Sequence, residues 1–251
     1  MIIIKSDSDI RLMRKAGSIT AGALATAGKA IKAGMSTKEL DTIVEDYIRS
    51  HGAIPSFKGY GGFPASACIS PNNVVIHGIP SKDVIIKDGD IISIDVGAYI
   101  NGFHGDSAAT FAVGNVKPNA LKLMDVTKTS LENVYKILKA GVRLGDIGHT
   151  VQSYCESNGF SVVRDFVGHG VGRDLHEDPS VANFGKAGHG LRLPKGATVA
   201  IEPMINEGTE KVLIDRRDGW TVTTADGKLS AHFEHTFYID DDCAHILTVQ
   251  E

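Results

Sequence analysis

Leu40, Ile43, Val44 and Tyr47 fall at i, i+3, i+4 and i+7, the spacing of one helix face. Ser36 and Glu39 just ahead of them form an S-x-x-E capping box, and Gly52 stands where a helix would be closed. Leu131, Val134, Tyr135 and Leu138 repeat that spacing later in the chain, and the Ala-rich stretch from Leu12 to Leu24 also reads as helix. Elsewhere the period changes. The β-branched run from Ile91 to Val96, bounded by Gly89 and Gly97, predicts a strand, and Thr198 to Ile201 predicts another. Helices followed by strands therefore occur twice.

The duplication is also visible residue by residue. The segment Lys32 to Tyr47 shares Lys, Ala, Gly, Val and Tyr with Lys139 to Tyr154, an offset of 107, and Ser50 and Gly52 continue it at Ser157 and Gly159. Gly89 to Asp95 aligns with Gly196 to Glu202 at the same offset of 107. The expectation is an α+β fold with an internal pseudo-twofold repeat and a site between its halves. No linker-like stretch separates the halves, so residues 1–251 are read as one domain, with halves of about 1–110 and 111–251.

Composition narrows the class. With 42% hydrophobic and 22% charged residues the chain is neither a disordered tail nor a coiled coil. A net charge of −4 without a basic run argues against a nucleic-acid surface. The three cysteines, Cys68, Cys155 and Cys243, form no C-x-x-C, which excludes a zinc ribbon and a thioredoxin-type motif. The sequence contains neither a signal-peptide h-region nor an apolar run of about 20 residues, so a cytoplasmic protein without membrane contact is expected.

The chemistry lies in acids at awkward places. Asp95 ends one apolar strand and its repeat mate Glu202 ends another. An ionised carboxylate in low dielectric is costly unless paired or metal-bound. Two more acids share a local pattern, in His104-Gly-Asp106 and His232-Phe-Glu234. Any one of these is, alone, an ordinary strand-end charge facing solvent. Together they would carry −4, which two divalent cations cancel, and an imidazole donor is offered by His169 in Gly168-His-Gly170. Carboxylates with one imidazole suit Mn, Fe, Co or Zn. A zincin H-E-x-x-H at His176 fails, because Ser180 replaces the second His and Pro179 opposes the helix. Gly105-Asp-Ser107 lacks the G-x-S-x-G elbow of a serine nucleophile.

Asp95, Asp106, His169, Glu202 and Glu234, in this order and spacing, resemble the dinuclear metal set of the methionine aminopeptidases. The surrounding words match too: Val75-Ile-His77-Gly-Ile-Pro80, Gly168-His-Gly-Val-Gly172, His176-Glu177, Ile201-Glu-Pro-Met204 and Glu234-His-Thr236. The similarity spans nearly the whole chain and, without a long N-terminal extension, is to the bacterial type I enzymes. It implies the pita-bread fold and removal of the initiator methionine from nascent proteins when the second residue is small. It implies that Asp106 and Glu234 bridge two divalent ions (Co, Mn, Fe or Zn), that Asp95 holds one ion, and that His169 and Glu202 hold the other. Catalytic roles fall to Glu202 as proton shuttle, His176 as donor to the developing oxyanion, and His77 beside the scissile amide.

The methionine pocket implied by the resemblance comprises Tyr60, Phe63, Cys68 and Trp220, with Phe57 and Leu175 nearby and His77 and His176 touching substrate. Phe63 stands where Tyr is usual, and Leu175 where an aromatic residue is frequent. Asn72, Val74 and Ser230 resemble a site for a monovalent cation, Na or K. The expected partners are N-terminal peptides of nascent proteins, with the ribosome as a further one, acting on a monomer. The competing readings are an X-Pro aminopeptidase of the same fold, which usually carries an extra N-terminal domain, and a non-enzymatic binding protein, which would be expected to have lost ligands.

Overall fold

Serine caps set the start of the first two helices. Helix α1, Asp7–Ala30, begins where the Ser6 hydroxyl accepts the Asp9 N–H and the Asp9 carboxylate accepts the Ser6 N–H. Helix α2, Thr37–Ser50, carries the expected box between Ser36 and Glu39, and Gly52 follows it in the left-handed region at φ 72°. Helix α3, Pro118–Ile137, opens on a proline, and α4, Leu144–Ser157, opens with Asp146 accepting the Arg143 N–H. The computed structural model describes residues 1–250. None of the helices among them is long and apolar enough to cross a membrane.

Strands follow each helix pair. In the first half Ile91–Ile100 and Phe103–Ala112 pair antiparallel along their whole length, and Ala67–Pro71 and Ile54–Pro55 line the free side of the former. In the second half a five-stranded sheet runs in the order Ala244–Ile246, His235–Ile239, Thr198–Ile201, Gly168–Gly170, Glu177–Val181. Two three-stranded sheets complete the set, one of Ser230–His232, Met204–Asn206 and Ser161–Val162, the other of Val212–Ile214, Val222–Thr224 and Val74–Ile76.

Each half has its own core. Leu40, Val44 and Ile48 of α2 pack with Ile19 and Ala23 of α1 against Ile92, Ile94 and Val96. Leu123, Leu131 and Val134 of α3 pack with Ile147 and Val151 of α4 against Val199, Ile201 and Phe237. Burying a Leu or Ile side chain fully is worth about 2 kcal/mol, so the helix faces read from the sequence are what hold the sheets. Helix α1 lies unusually close to its strand. A Cβ on Gly105 would stand 2.8 Å from the Gly17 Cα, and the Thr20 hydroxyl donates to the Gly105 carbonyl at 3.1 Å. That contact fixes the backbone next to Asp106.

Three sequence expectations need adjustment. The first strand does not stop at Gly97 but continues to Ile100. Gly97 is required inside it, because a Cβ there would lie 2.7 Å from the Ser56 Cβ and 2.8 Å from the Phe57 ring. The opening helix extends to both sides of Leu12–Leu24. Tyr135 is 41% exposed and so lies at the rim of the α3 face rather than within the core.

Candidate metal centre and substrate cavity

Strand register brings the acids together. Gly97 pairs with Asp106 and Asp95 with Ala108, so Asp95 and Asp106 are diagonal neighbours on one face of the first-half hairpin. In the second half Ile201 pairs with His235, which sets Glu202 opposite Glu234 just beyond the paired residues. Both strands break there: Thr198–Ile201 resumes as Met204–Asn206, and Ser230–His232 as His235–Ile239. His169 enters from the adjacent strand, opposite Ala200. Its flanking glycines serve close packing as the sequence suggested, since a Cβ on Gly168 would fall 2.3 Å from the Ala200 carbonyl oxygen.

A polar clasp joins the two halves behind these residues. The Glu234 N–H donates to the Ala108 carbonyl at 2.8 Å, and the Ser107 hydroxyl donates to the Glu234 carbonyl at 2.7 Å. The Thr236 hydroxyl accepts the Asp106 N–H at 3.1 Å and donates to the Asp106 carbonyl at 2.8 Å. The backbones of Asp106 and Glu234 are thus fixed to each other's strands. Sequence reasoning did not single out Thr236 or Ser107 for this task; neither hydroxyl carries a pattern of its own.

The electrostatics call for cations. Burial pushes Asp95, Glu202 and Glu234 well above the usual carboxylate range, with the neighbouring acids, Asp106 among them in each case, adding to it. Burial raises Asp106 to about 7. Burial, with His176 nearby, lowers His169 to about 4, so this imidazole is neutral at pH 7. Its Nδ1 lies 2.9 Å from the Gly170 carbonyl. A carbonyl can only accept, so Nδ1 carries the proton and Nε2 presents a lone pair. That lone pair faces Asp106 Oδ2 at 3.7 Å and Glu202 Oε1 at 3.5 Å. The imidazole is hydrogen-bonded to neither carboxyl group at such distances, and with the carboxyl groups ionised the three present electron pairs to a cation. Asp106, His169 and Glu234 each bring a ligand atom within 4.8 Å of the others, and Asp95 Oδ1, Asp106 Oδ1 and Glu234 Oε1 are buried without a hydrogen-bond partner among the described residues. The donor set fits divalent ions that accept oxygen with nitrogen.

The same cavity, about 130 Å³, has an apolar end. Phe57, Phe63, Cys68, Leu175 and Trp220 pack there with Ala65 and Ile79. Phe63 meets Trp220 edge-on with centroids 5.2 Å apart, and Trp220 meets the His77 ring at 6.0 Å. His77 holds φ 57°, a left-handed conformation uncommon for a non-glycine residue and often found at functional sites. Burial lowers its imidazole to about 4. Tyr60 lies at the mouth, its hydroxyl 2.8 Å from His176 Nδ1. Burial, reinforced by Asp174, raises the Tyr60 phenol, which therefore keeps its proton at neutral pH. In the tautomer where Tyr60 donates to Nδ1, the proton of His176 is on Nε2, available to a ligand.

All the residues read as metal-binding, catalytic or substrate-binding line this one cavity. The trio for a monovalent cation lies elsewhere. The Ser230 N–H donates to the Asn72 carbonyl at 2.8 Å, and Val74 pairs with Thr223. The Asn72 amide is already engaged with Asp90 and the Ile91 N–H, so the donors on offer there are backbone carbonyls. Four neighbours of the cavity escaped the sequence reading. Phe166 packs edge-on against His77 at 5.8 Å, and Ala65 and Ile79 support the aromatic group. His232 is buried with its Nε2 3.7 Å from Glu202 Oε2, and burial lowers it to about 3. Its only sequence signal was the pattern it shares with His104.

The chain matches metallopeptidase family M24 over residues 11–241. It is 51% identical to the methionine aminopeptidase of Clostridium acetobutylicum over 251 residues, covering 100% of both chains. Its structure is similar to that of the methionine aminopeptidase of Thermotoga maritima, with a TM-score of 0.98, 46% identity and 100% of both chains covered. An X-Pro aminopeptidase of Thermotoga maritima has a TM-score of 0.78 at 21% identity, and the chain covers 64% of it; that likeness is one of fold alone.

Proposed function

From the premise that the chain belongs to metallopeptidase family M24, and within it to the methionine aminopeptidases, we propose that it removes the N-terminal methionine of nascent proteins whose second residue is small. The observation that carries this reading is a single cavity with five metal-type donors at one end, an apolar aromatic pocket at the other, and His77 and His176 with them. A non-enzymatic relative would have no use for this complete set. X-Pro specificity turns on the second residue, whereas the apolar group beside the donors suits a methionine side chain at the first.

Asp106 and Glu234 would bridge two divalent ions, Asp95 would complete one, and His169 and Glu202 the other. When bound, such ions polarise the scissile carbonyl and make water a competent nucleophile near neutral pH. The protein's own groups do the rest. The apolar end takes the methionine side chain and excludes water from it. His176 Nε2–H donates to the carbonyl oxygen as negative charge develops there, oriented by Tyr60. His77, fixed between Trp220 and Phe166, borders the second residue and the departing nitrogen. Glu202, as the resemblance implies, would take a proton from the attacking water and pass it to that nitrogen. A monovalent cation would sit at Asn72, Val74 and Ser230, and the enzyme would act as a cytoplasmic monomer on nascent chains, with the ribosome as a further partner.

A peptide panel tests the reading. Met-Ala-x peptides should be cleaved, and Met-Lys-x and Ala-Pro-x peptides should not. Efficient turnover of Met-Lys-x, or a preference for Ala-Pro-x, would overturn it.

A further inference from the structure

The turn that carries His176 is closed by a buried ion pair from outside the cavity. The side chains of Lys5 and Glu177 are 3% and 2% exposed, and the Lys5 ammonium donates to Glu177 Oε2. The other carboxylate oxygen, Oε1, accepts the Arg173 N–H at 2.8 Å and the Asp174 N–H at 3.4 Å. Glu177 thus folds residues 173–176 back on themselves. The turn is anchored on both sides: the Gly172 carbonyl accepts the His104 N–H at 2.9 Å, and the Lys5 N–H donates to the Gly196 carbonyl at 2.9 Å. Gly172 leaves space for the pair, because a Cβ there would stand 2.3 Å from Glu177 Oε1 and 2.7 Å from the Lys5 nitrogen.

Two members of this turn, Leu175 and His176, line the cavity; Lys5 and Glu177 do not. A carboxylate and an ammonium taken from water recover their solvation only through partners held in good geometry. Here Glu177 spends its second oxygen on the turn's own N–H groups, so the pair and the turn conformation require each other. We propose that Glu177, neutralised by Lys5, is a positioning residue for His176: the N-terminal segment locks the turn so that the His176 ring meets Tyr60 and the substrate carbonyl. The inference rests on the role given to His176 above.

A double-mutant cycle on the metal-loaded protein tests it. Lys5→Met and Glu177→Gln should each lower kcat on Met-Ala-x by on the order of 10-fold to 100-fold, with KM and metal content little changed. In a His176→Ala background the same substitutions should change kcat by less than about 2-fold, because what they position is gone. Equal losses in both backgrounds would mean a merely structural pair and would overturn the proposal. Glu177→Gln, isosteric with the parent, serves if Lys5→Met does not fold. A second readout needs no turnover. In long-range ¹H–¹⁵N spectra of the histidine side chains, Lys5→Met should move the His176 signals and leave those of His77 in place. Unmoved His176 signals would overturn the proposal even if the parent protein cleaved no peptide, whereas an inactive parent with moved signals would count against the peptidase reading alone.

Discussion

The two ends of the cavity are built by opposite means. At the charged end, four carboxylates and an imidazole are brought together by strands and their ends and clasped by hydroxyl-to-backbone hydrogen bonds, an arrangement of donors that suits cations. At the apolar end, Phe63, Leu175 and Trp220 come from loops and are held by contact with one another. The first end is intolerant of change because each oxygen has a charge to satisfy. The second is tolerant, since one apolar group can replace another at the cost of packing.

The largest effect should follow from removing a bridging acid. Glu234→Ala should lose bound divalent metal together with essentially all activity, measured by metal stoichiometry and turnover on the same sample. Retention of a full metal complement would break the distinction between the ends. His176→Ala lies at the junction. It should keep its metal while kcat falls by about 10²–10³, or roughly 3–4 kcal/mol, as on loss of one oxyanion donor. A variant that loses metal as well would place His176 among the ligands.

At the apolar end the change should be smaller and of a different kind. Trp220→Ala should leave metal content intact and lower discrimination between Met-Ala-x and its norleucine or leucine analogues, within the range of about 1–3 kcal/mol available to an apolar pocket. A fall in metal content would show that the ends are not separable. Least of all should be the reactivity of Cys68. Burial, then Asp95, raises this thiol well above its ordinary range, so alkylating reagents at neutral pH should modify the exposed Cys243 and spare Cys68 in mass spectra of the native protein. Rapid labelling of Cys68 would show that the apolar end opens to water.

The two ends also differed in how far the sequence revealed them. Asp95 and Glu202 each close an apolar run at a repeat distance of 107, so symmetry exposed them before any family likeness did, although Asp95 proves to lie within its strand and Glu202 just past the end of its own. Asp106 and Glu234 are 128 apart, and only their local words connected them. The extra residues contain the Val212–Ile214 and Val222–Thr224 hairpin, an addition to the second half alone. Trp220 lies on that hairpin, so no repeat mate could point to it, and the pocket was legible only through resemblance. The helices were legible because caps and apolar faces are local signals. The length of the Ile91–Ile100 strand was not, because what demands Gly97 is Ser56 and Phe57, distant in sequence. The Thr236 and Ser107 clasp and the Lys5–Glu177 pair were hidden for the same reason: each joins positions more than 120 residues apart.

The central claim is that five donors form a cation-dependent centre which the apolar end serves. Its most direct test is to strip the protein with a chelator and titrate Mn²⁺ back by calorimetry, following Met-Ala-x hydrolysis in the same aliquots. Hydrolysis should vanish on stripping and return in step with Mn²⁺ occupancy. Full hydrolysis by the rigorously metal-free protein, or Mn²⁺ binding that survives Glu234→Ala unchanged, would contradict it.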